Sequence, residues 1–382
     1  MTLRLPYADG TLQPYALRGT PIDAAPLGGD PARIVFAAAH VVADPLTTGE
    51  PSGPAAVDWD ATLAFRRHLA GLGLGIAEAM DTAQRGMGLD WSGALELIAR
   101  TRAELPDALV FNGCGTDHLD PGDAASLDDV LRAYLEQLEA IQKVGGRVIL
   151  MASRALTKIA KGPDEYVRTY RDVLAQCDKP VILHWLGEMF DPALAGYWGA
   201  QTFEEALETA LQVIGESVEK VDGIKISLLD KDKEIVMRRL LPDGVRLYTG
   251  DDFNYPERIA GDSEGYSHAL LGIFDPLAPA AARAIGQLGV GDFAGFHATL
   301  DPTVPLSRLI FRAPTQYYKT GVVFLAWLNG FQDHFVMLGG AQAMRPLPFF
   351  GECFRMADQC GLLRDPDVAE ARMRRLLALY GV

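Results

Sequence analysis

Eight short apolar runs, spaced through the first three-quarters of the chain, constrain its fold more than any other feature. They are "RIVFAAAH" (33–40), "GLGIAEA" (73–79), "DALVFN" (107–112), "RVILMAS" (147–153), "PVILHW" (180–185), "VDGIKIS" (221–227), "VRLYTG" (245–250) and "SHALLGI" (267–273). Helical patterns stand between most of them: "DWDATLAFRRHLAGL", "WSGALELIARTRAEL", "SLDDVLRAYLEQLEAIQKV", "DEYVRTYRDVLAQC", "TFEEALETALQVIGES" and "KEIVMRRLL". The link "PERIAGDSEG" before the last run is less clearly helical. Strands alternating with helices mean βαβ units and a parallel sheet. Eight such units closing on themselves make a (β/α)8 TIM barrel of about 250 residues. An open doubly wound sheet is the alternative. The lack of a G-x-G-x-x-G turn after the first run speaks against it.

This places the barrel at residues 31–280. Residues 1–30 form an N-terminal extension, with a hairpin turning at "ADG" and then a Pro/Gly-rich connection. Residues 281–382 carry helical patterns only and form a C-terminal helical appendage. A chain of 382 residues with 49% hydrophobic composition is ample for such a core. Its formal charge of −15 argues against nucleic acid and anionic membrane surfaces as partners. No run of eighteen or more apolar residues occurs, so no membrane-spanning helix is expected. The start "MTLRLPYADGTLQPYALRG" lacks the basic and apolar regions of a signal peptide, which points to a cytoplasmic protein. Cys114, Cys177, Cys353 and Cys360 are widely spaced with no CxxC pair, which speaks against structural zinc or a disulfide framework.

The sixth run carries a lysine where a buried strand should have none. Lysine is among the residues least often buried without a partner. Side chains alternate faces along a strand. Ile224 and Ile226 therefore share one face, and Gly223, Lys225 and Ser227 the other. The apolar face suits surrounding helices; the other suits the barrel interior near its C-terminal mouth, where active sites of this fold lie. In a dry pocket the amine loses its proton more easily and can attack a carbonyl. A structural lysine paired with a carboxylate across the barrel is the other reading, and placement alone leaves both open.

Polar residues recur where the runs end: His40; Glu78, with Asp81, Gln84 and Arg85 after it; Asn112, with Asp117 and His118 after it; Ser153 and Arg154; His184; and Asp251 and Asp252. His268 opens its run instead and belongs deep or at the lower rim. Glu78, Asn112, Arg154, His184 and Lys225 are expected to line one pocket at the mouth.

"VDGIKIS" resembles the Schiff-base lysine strand of the dihydrodipicolinate synthase and N-acetylneuraminate lyase superfamily, an apolar-Gly-Ile-Lys pattern. About twenty residues on, "VRLYTGDD" resembles that family's strand ending in Gly-Asp-Asp. "HALLGIFDPLAPAAARAIGQLGVGDFAGF", "DKPVILHW" and "PDEYVRTYRDVLAQC" are similar to further family segments. The resemblance covers roughly residues 30–315. It implies a class I aldolase-type barrel, acting as a lyase or dehydratase on a small keto acid or sugar-derived carbonyl compound through Lys225, without a cofactor. Two departures stand out. The family's Gly-Thr-Thr-Gly-Glu type loop, which clamps a 2-keto acid carboxylate, is replaced by "AEAMDTAQRGMGLDW". Its proton-relaying tyrosine is absent from "VILMASRALTK", which offers Ser153 and Arg154. Proton transfer then falls to His184 or Glu78, and substrate binding to Arg154, Ser153, Asn112, Asp81 and Asp251.

Two rivals remain. One is a metal-dependent enzyme holding a divalent ion on His40, Glu78, His184 and Glu188, ligand types that suit zinc or manganese. The other is a non-catalytic, ligand-binding barrel. The apolar tail segments "YYKTGVVFLAWLNGF" and "AMRPLPFFGECF" need covering, by packing on the barrel or in a homo-oligomer seam. Related barrels are often dimers or tetramers, so the resemblance favours an oligomer.

Overall fold

The computed structural model describes every residue except 1, 2, 24, 29, 48, 49, 51 and 52, so the expected extension is described only in part. All eight apolar runs are strands: β3 (Val35–Ala38), β4 (Gly75–Glu78), β5 (Val110–Cys114), β6 (Arg147–Leu150), β7 (Val181–Leu186), β8 (Val221–Ser227), β9 (Arg246–Thr249) and β10 (His268–Leu271). They follow β1 (Leu3–Pro6) and β2 (Leu12–Tyr15), the antiparallel hairpin that turns at Ala8–Asp9–Gly10. The eight run parallel in sequence order and close into a barrel where Ala269 of β10 pairs with Val35 of β3.

The helices after the strands are α1 (Trp59–Gly71), α2 (Trp91–Glu104), α3 (Leu127–Lys143), α4 (Arg154–Ile159), α5 (Pro163–Leu174), α6 (Phe203–Gly215), α7 (Lys231–Leu240), α8 (Tyr255–Ala260) and α9 (Ala278–Gly289). Their starts are written in the sequence. Asp58, Asp90, Ser126 and Thr202 each accept a hydrogen bond from a first-turn amide, and the last two form full capping boxes. The unclear "PERIAG" link is a six-residue helix, α8, begun by a proline at its second position. The expected boundary after residue 280 falls inside α9, because that helix is the crossover following β10 and packs on the barrel.

Inward side chains fill the barrel. Phe36, Phe111 and Tyr248 meet edge to face low in it, with ring centroids 5.4 and 5.8 Å apart. Ala38, Ala77, Ile149, Met151, Ile182 and Leu270 join the same cluster. The residues that alternate with them, such as Ile76, Leu183, Ile224 and Leu271, face the helices.

Beyond α9 the chain adds α10 (Phe293–Leu300), α11 (Val304–Ile310), α12 (Tyr318–Leu328), α13 (Leu347–Gln359) and α14 (Pro366–Leu379). Every residue of α12 is buried, and Phe349, Phe350 and Phe354 of α13 are too. The two apolar segments that needed covering are thus covered largely within the chain itself. The hairpin is fastened to α13: Tyr15 and the amides of Arg18 and Gly19 all donate to the Asp358 carboxylate. Among the described residues no helix is long and apolar enough to cross a membrane.

Candidate active site

Lys225 points into the barrel, as strand alternation predicts. Gly223, two residues before it, faces the Tyr248 ring of the interior cluster. Gly250, on the neighbouring strand end, makes room for its stem: a Cβ there would lie 2.9 Å from Lys225 Cε and 2.3 Å from Ser227 Oγ. The side chain is buried, yet among the described residues its Nζ makes no hydrogen bond or ion pair. Burial pulls the amine below the ordinary lysine value, while Asp81 and Asp252 hold it up from a distance.

His184 stands directly beside Lys225 in the β7–β8 register. Its Nε2 lies 3.1 Å from Ser227 Oγ, and its Nδ1 has no partner. Burial, and then the charge of Lys225, push its pKa well below the usual histidine range. The imidazole is therefore neutral. It offers hydrogen bonds and is a poor fit to the proton-transfer part expected of it.

The carboxylate facing Lys225 after β9 is Asp252 and not Asp251. Asp252 Oδ1 accepts the amide of Ile273 at 3.0 Å. Burial raises its pKa to about 7, against the pull of that amide and of Lys225. Asp251 turns away to accept Phe253 N and Asn254 Nδ2. Alternation would have found this, since Tyr248, Gly250 and Asp252 share a face and Asp251 does not.

The same rule removes two other expected residues from the mouth. Ala77 and Phe111 face inward, so Glu78 and Asn112 face the helices. Glu78 receives a two-pronged ion pair from Arg66 of α1 (2.9 and 2.8 Å), the Thr101 hydroxyl of α2 (2.7 Å) and the amide of Ala79. It is a satisfied buried carboxylate holding α1 and α2 to the barrel. Asn112 donates to Arg147 O at 2.8 Å in the same layer. Ser153 caps α4, accepting the Leu156 amide and sharing a 2.6 Å bond with Thr116 Oγ1. All three spend hydrogen bonds within the fold, although Asn112 Oδ1 has no partner among the described residues.

Asp81 and Arg154 do reach the mouth. Both line a cavity of about 420 Å³ at the ends of β5, β6 and β7, with Arg85, Thr116, Asp117, His118, Met151, His184 and Asp191. Arg85 is committed to Asp117, Gln137 and two carbonyls, and Arg154 is half exposed and paired with Asp191 at 2.5 Å. Asp81 has no hydrogen bond or ion pair to its carboxylate among the described residues. The loop that carries it is strained at both ends: Ala79 and Gln84 take left-handed φ of 50° and 59°. Such strain in non-glycine residues persists only where the surroundings hold it, often at functional sites.

The C-terminal region covers this loop, which no sequence pattern foretold. The hydroxyl of Tyr318, first residue of α12, lies 3.0 Å from Thr82 Oγ1. Its ring stacks on Phe311 at 4.4 Å. The next residue, Lys319, is also buried.

The residues weighed as metal ligands do not converge. His40 bonds Asp275 through Nδ1 at 2.8 Å and packs on Phe65 of α1. Glu78 belongs to Arg66, and Glu188 is exposed. Among the described residues no three His, Cys, Asp or Glu side chains are grouped to hold a metal ion. His268 lies at the lower rim as expected, where its Nδ1 accepts the amide of Ile34.

The chain belongs to the family described as protein of unknown function DUF993, whose sequence model matches residues 3–382. No curated protein matches it. Solved structures do. YagE, a prophage protein of the dihydrodipicolinic acid synthase family from E. coli K12, solved with pyruvate, is 13% identical with a TM-score of 0.64, covering 91% of this chain and 98% of its own. Dihydrodipicolinate synthase from Thermotoga maritima is 14% identical with a TM-score of 0.63, covering 87% and 99%. That from Bacillus anthracis is 15% identical with a TM-score of 0.58, covering 80% and 91%. The likeness is one of fold.

Proposed function

We propose that this DUF993 member is a class I lyase, an aldolase or dehydratase, that binds a small carbonyl compound as a Schiff base on Lys225. The observation that carries the reading is the buried amine of Lys225, inside the mouth of a barrel and without an ion-pair partner. A desolvated lysine with no carboxylate in contact gives up its proton more readily than a solvated one and can then act as a nucleophile. A structural lysine would be paired.

The chemistry follows from the groups around it. The free amine adds to the carbonyl carbon, and the carbonyl oxygen leaves as water after taking up protons. A protonated imine remains. When a bond to the neighbouring carbon breaks, its electron pair is drawn into the imine to give an enamine. Protonation of that carbon, then addition of water to the imine, releases product and frees the amine. Each step moves a proton, and Asp252, with its pKa raised to about 7 beside Lys225, is suited to carry it. Neutral His184 orients the leaving or entering hydroxyl through its unpartnered Nδ1. Asp81 balances the charge of the iminium. Asp252 thus takes the part left open by the missing family tyrosine.

The test is reductive trapping. Borohydride added with a panel of small ketones and keto acids should fix a mass increment on the peptide containing Lys225. Lys225→Arg keeps the charge and removes an amine able to form the imine. It should lose both adduct and turnover while its circular dichroism stays that of the parent. An active Lys225→Arg enzyme would end the Schiff-base reading.

A further inference from the structure

Lys319 has no role in the reaction described so far, yet its surroundings are as unusual as those of Lys225. It is the second residue of α12, carried to the mouth by a helix whose every residue is buried. Its side chain is 5% exposed. The only hydrogen-bonding contact of its Nζ among the described residues is Met87 Sδ at 3.6 Å, a weak acceptor, and no carboxylate is within ion-pair distance. An ammonium taken out of water without a partner is costly, so a buried lysine is ordinarily paired. The charged groups that act on it from further away are Asp81 and Arg154, both on the cavity wall. Asp81 is also one of the two carboxylates that act on Lys225. The charge of one carboxylate thus reaches both lysines, and neither is in contact with it. The strained loop from Ala79 to Gln84 holds that carboxylate in place, and Tyr318 braces the loop through Thr82.

We propose that Lys319 is a substrate-binding residue supplied by the C-terminal helical region, and that it receives an anionic group, a carboxylate or phosphate, on the part of the substrate remote from the carbonyl carbon. This rests on the Schiff-base reading for the location of that carbon. It replaces the missing carboxylate clamp beside the carbonyl with a cation across the mouth. The substrate would then be a carbonyl compound with its charge at the far end. Burial lowers the Lys319 amine to about 8. Arrival of an anion would raise it again and secure the ammonium form.

Two matched pairs of probes test this: levulinate against its methyl ester, and dihydroxyacetone phosphate against dihydroxyacetone. Within each pair the skeleton around the carbonyl is the same and the remote charge differs. The readout is the concentration giving half-maximal borohydride-trapped adduct on Lys225. In the wild type the charged member of at least one pair should half-saturate at a concentration roughly tenfold or more lower, the scale of one hydrogen bond to a charged group. The pair that shows the preference tells carboxylate from phosphate. Lys319→Met should erase the preference while still trapping the neutral probes, and Lys319→Arg should keep most of it. Lys319→Gln carries the same test should Lys319→Met fail to fold. No preference in either wild-type pair would overturn the proposal. So would a preference that survives in Lys319→Met, or a Lys319→Arg that traps and binds normally but no longer turns over, which would make Lys319 a proton carrier. If no probe labels Lys225 at all, the Schiff-base reading fails separately. The anion site is then read from thermal stabilisation by levulinate and by inorganic phosphate. Loss of that stabilisation in Lys319→Met upholds the site, and its persistence, or its absence in the wild type, sinks it.

Discussion

The two ends of the barrel are built from the same residue types and treat them in opposite ways. At the lower rim Asp222 accepts Arg246 at 2.8 Å, the Tyr248 hydroxyl at 2.7 Å and Arg147 at 3.4 Å. Arg147 also lies over the Phe111 ring, and Arg33 is spent on the carbonyls of Ala32, Ile259 and Ala260. These charges are paired, although Arg147 Nε has no partner of its own among the described residues. At the mouth Lys225, Lys319 and Asp81 have no charged partner in contact, His184 Nδ1 has no partner, and Asp252 keeps a carboxyl that titrates near neutrality. A polar group buried without its partner is a cost to the fold. Proteins carry that cost where the partner is a ligand or the group does chemistry. The lower rim spends its charges on stability, and the mouth withholds them for function.

The sharpest way to break this comparison is to measure stability after removing one charge from each end. Asp222→Asn should destabilise by about 2 kcal/mol, the scale of hydrogen bonds to charged groups. The Arg246 side chain is 41% exposed, which keeps the loss below that of a fully buried pair. Lys225→Met should be neutral or stabilising by about 1 kcal/mol, because it relieves a desolvated amine of its cost. Urea unfolding of both variants gives the two signs. A comparable loss in both would mean that Lys225 is a structural cation like Arg246.

Much of this contrast is legible in the sequence. Parallel strands covered on both faces read as continuous apolar runs, so all eight were visible, and "VDGIKIS" is β8 residue for residue. Alternation placed Lys225 inside. The same rule, carried past the last residue of each run, also separates Asp252 from Asp251, and puts Glu78 and Asn112 with the helices. What misleads there is chemistry: a polar residue ending an apolar run looks destined for the mouth, while the strand's pleat decides the face. Ser153 misleads differently, because serine before a helix is a cap as readily as a ligand. Tyr318 and Lys319 were beyond reach. They are more than 230 residues from the loop they cover, and nothing local in a buried helix marks its first turn as the lid of a distant site.

Proton uptake at the mouth gives a second, smaller contrast. A carboxyl whose folded-state pKa is raised binds its proton more tightly when folded. The resulting stability is fully present below the unfolded value of about 4 and is lost as pH rises through about 7. Wild-type melting temperature should therefore fall between pH 5 and pH 8. Asp252→Asn should fall less, keeping only the share due to groups such as Glu234, which burial also raises to about 7. If Asp252 carries the proton, the same variant should also flatten the pH dependence of turnover near neutrality. A variant whose melting curve against pH parallels the wild type would show that Asp252 is no more strained than the carboxylates below.

The smallest effect is expected at the rim, where the two designs meet. Arg154 lines the cavity, but its side chain is 54% exposed and already paired with Asp191. It is a mouth residue by position and a lower-rim residue by bonding. Exposed pairs contribute about 0–1 kcal/mol, so Arg154→Ala should raise KM by no more than about fivefold and leave kcat unchanged. Its loss also removes a like charge that acts on Lys319. The buried ammonium then becomes easier to hold, which partly offsets the lost contact with an anion. Steady-state kinetics on Arg154→Ala and Lys319→Met, with the same substrate, rank the two cations. Should the arginine variant lose more in KM than the lysine variant, the seat of the anion is the solvated rim. The unpaired lysine behind it would then need another explanation.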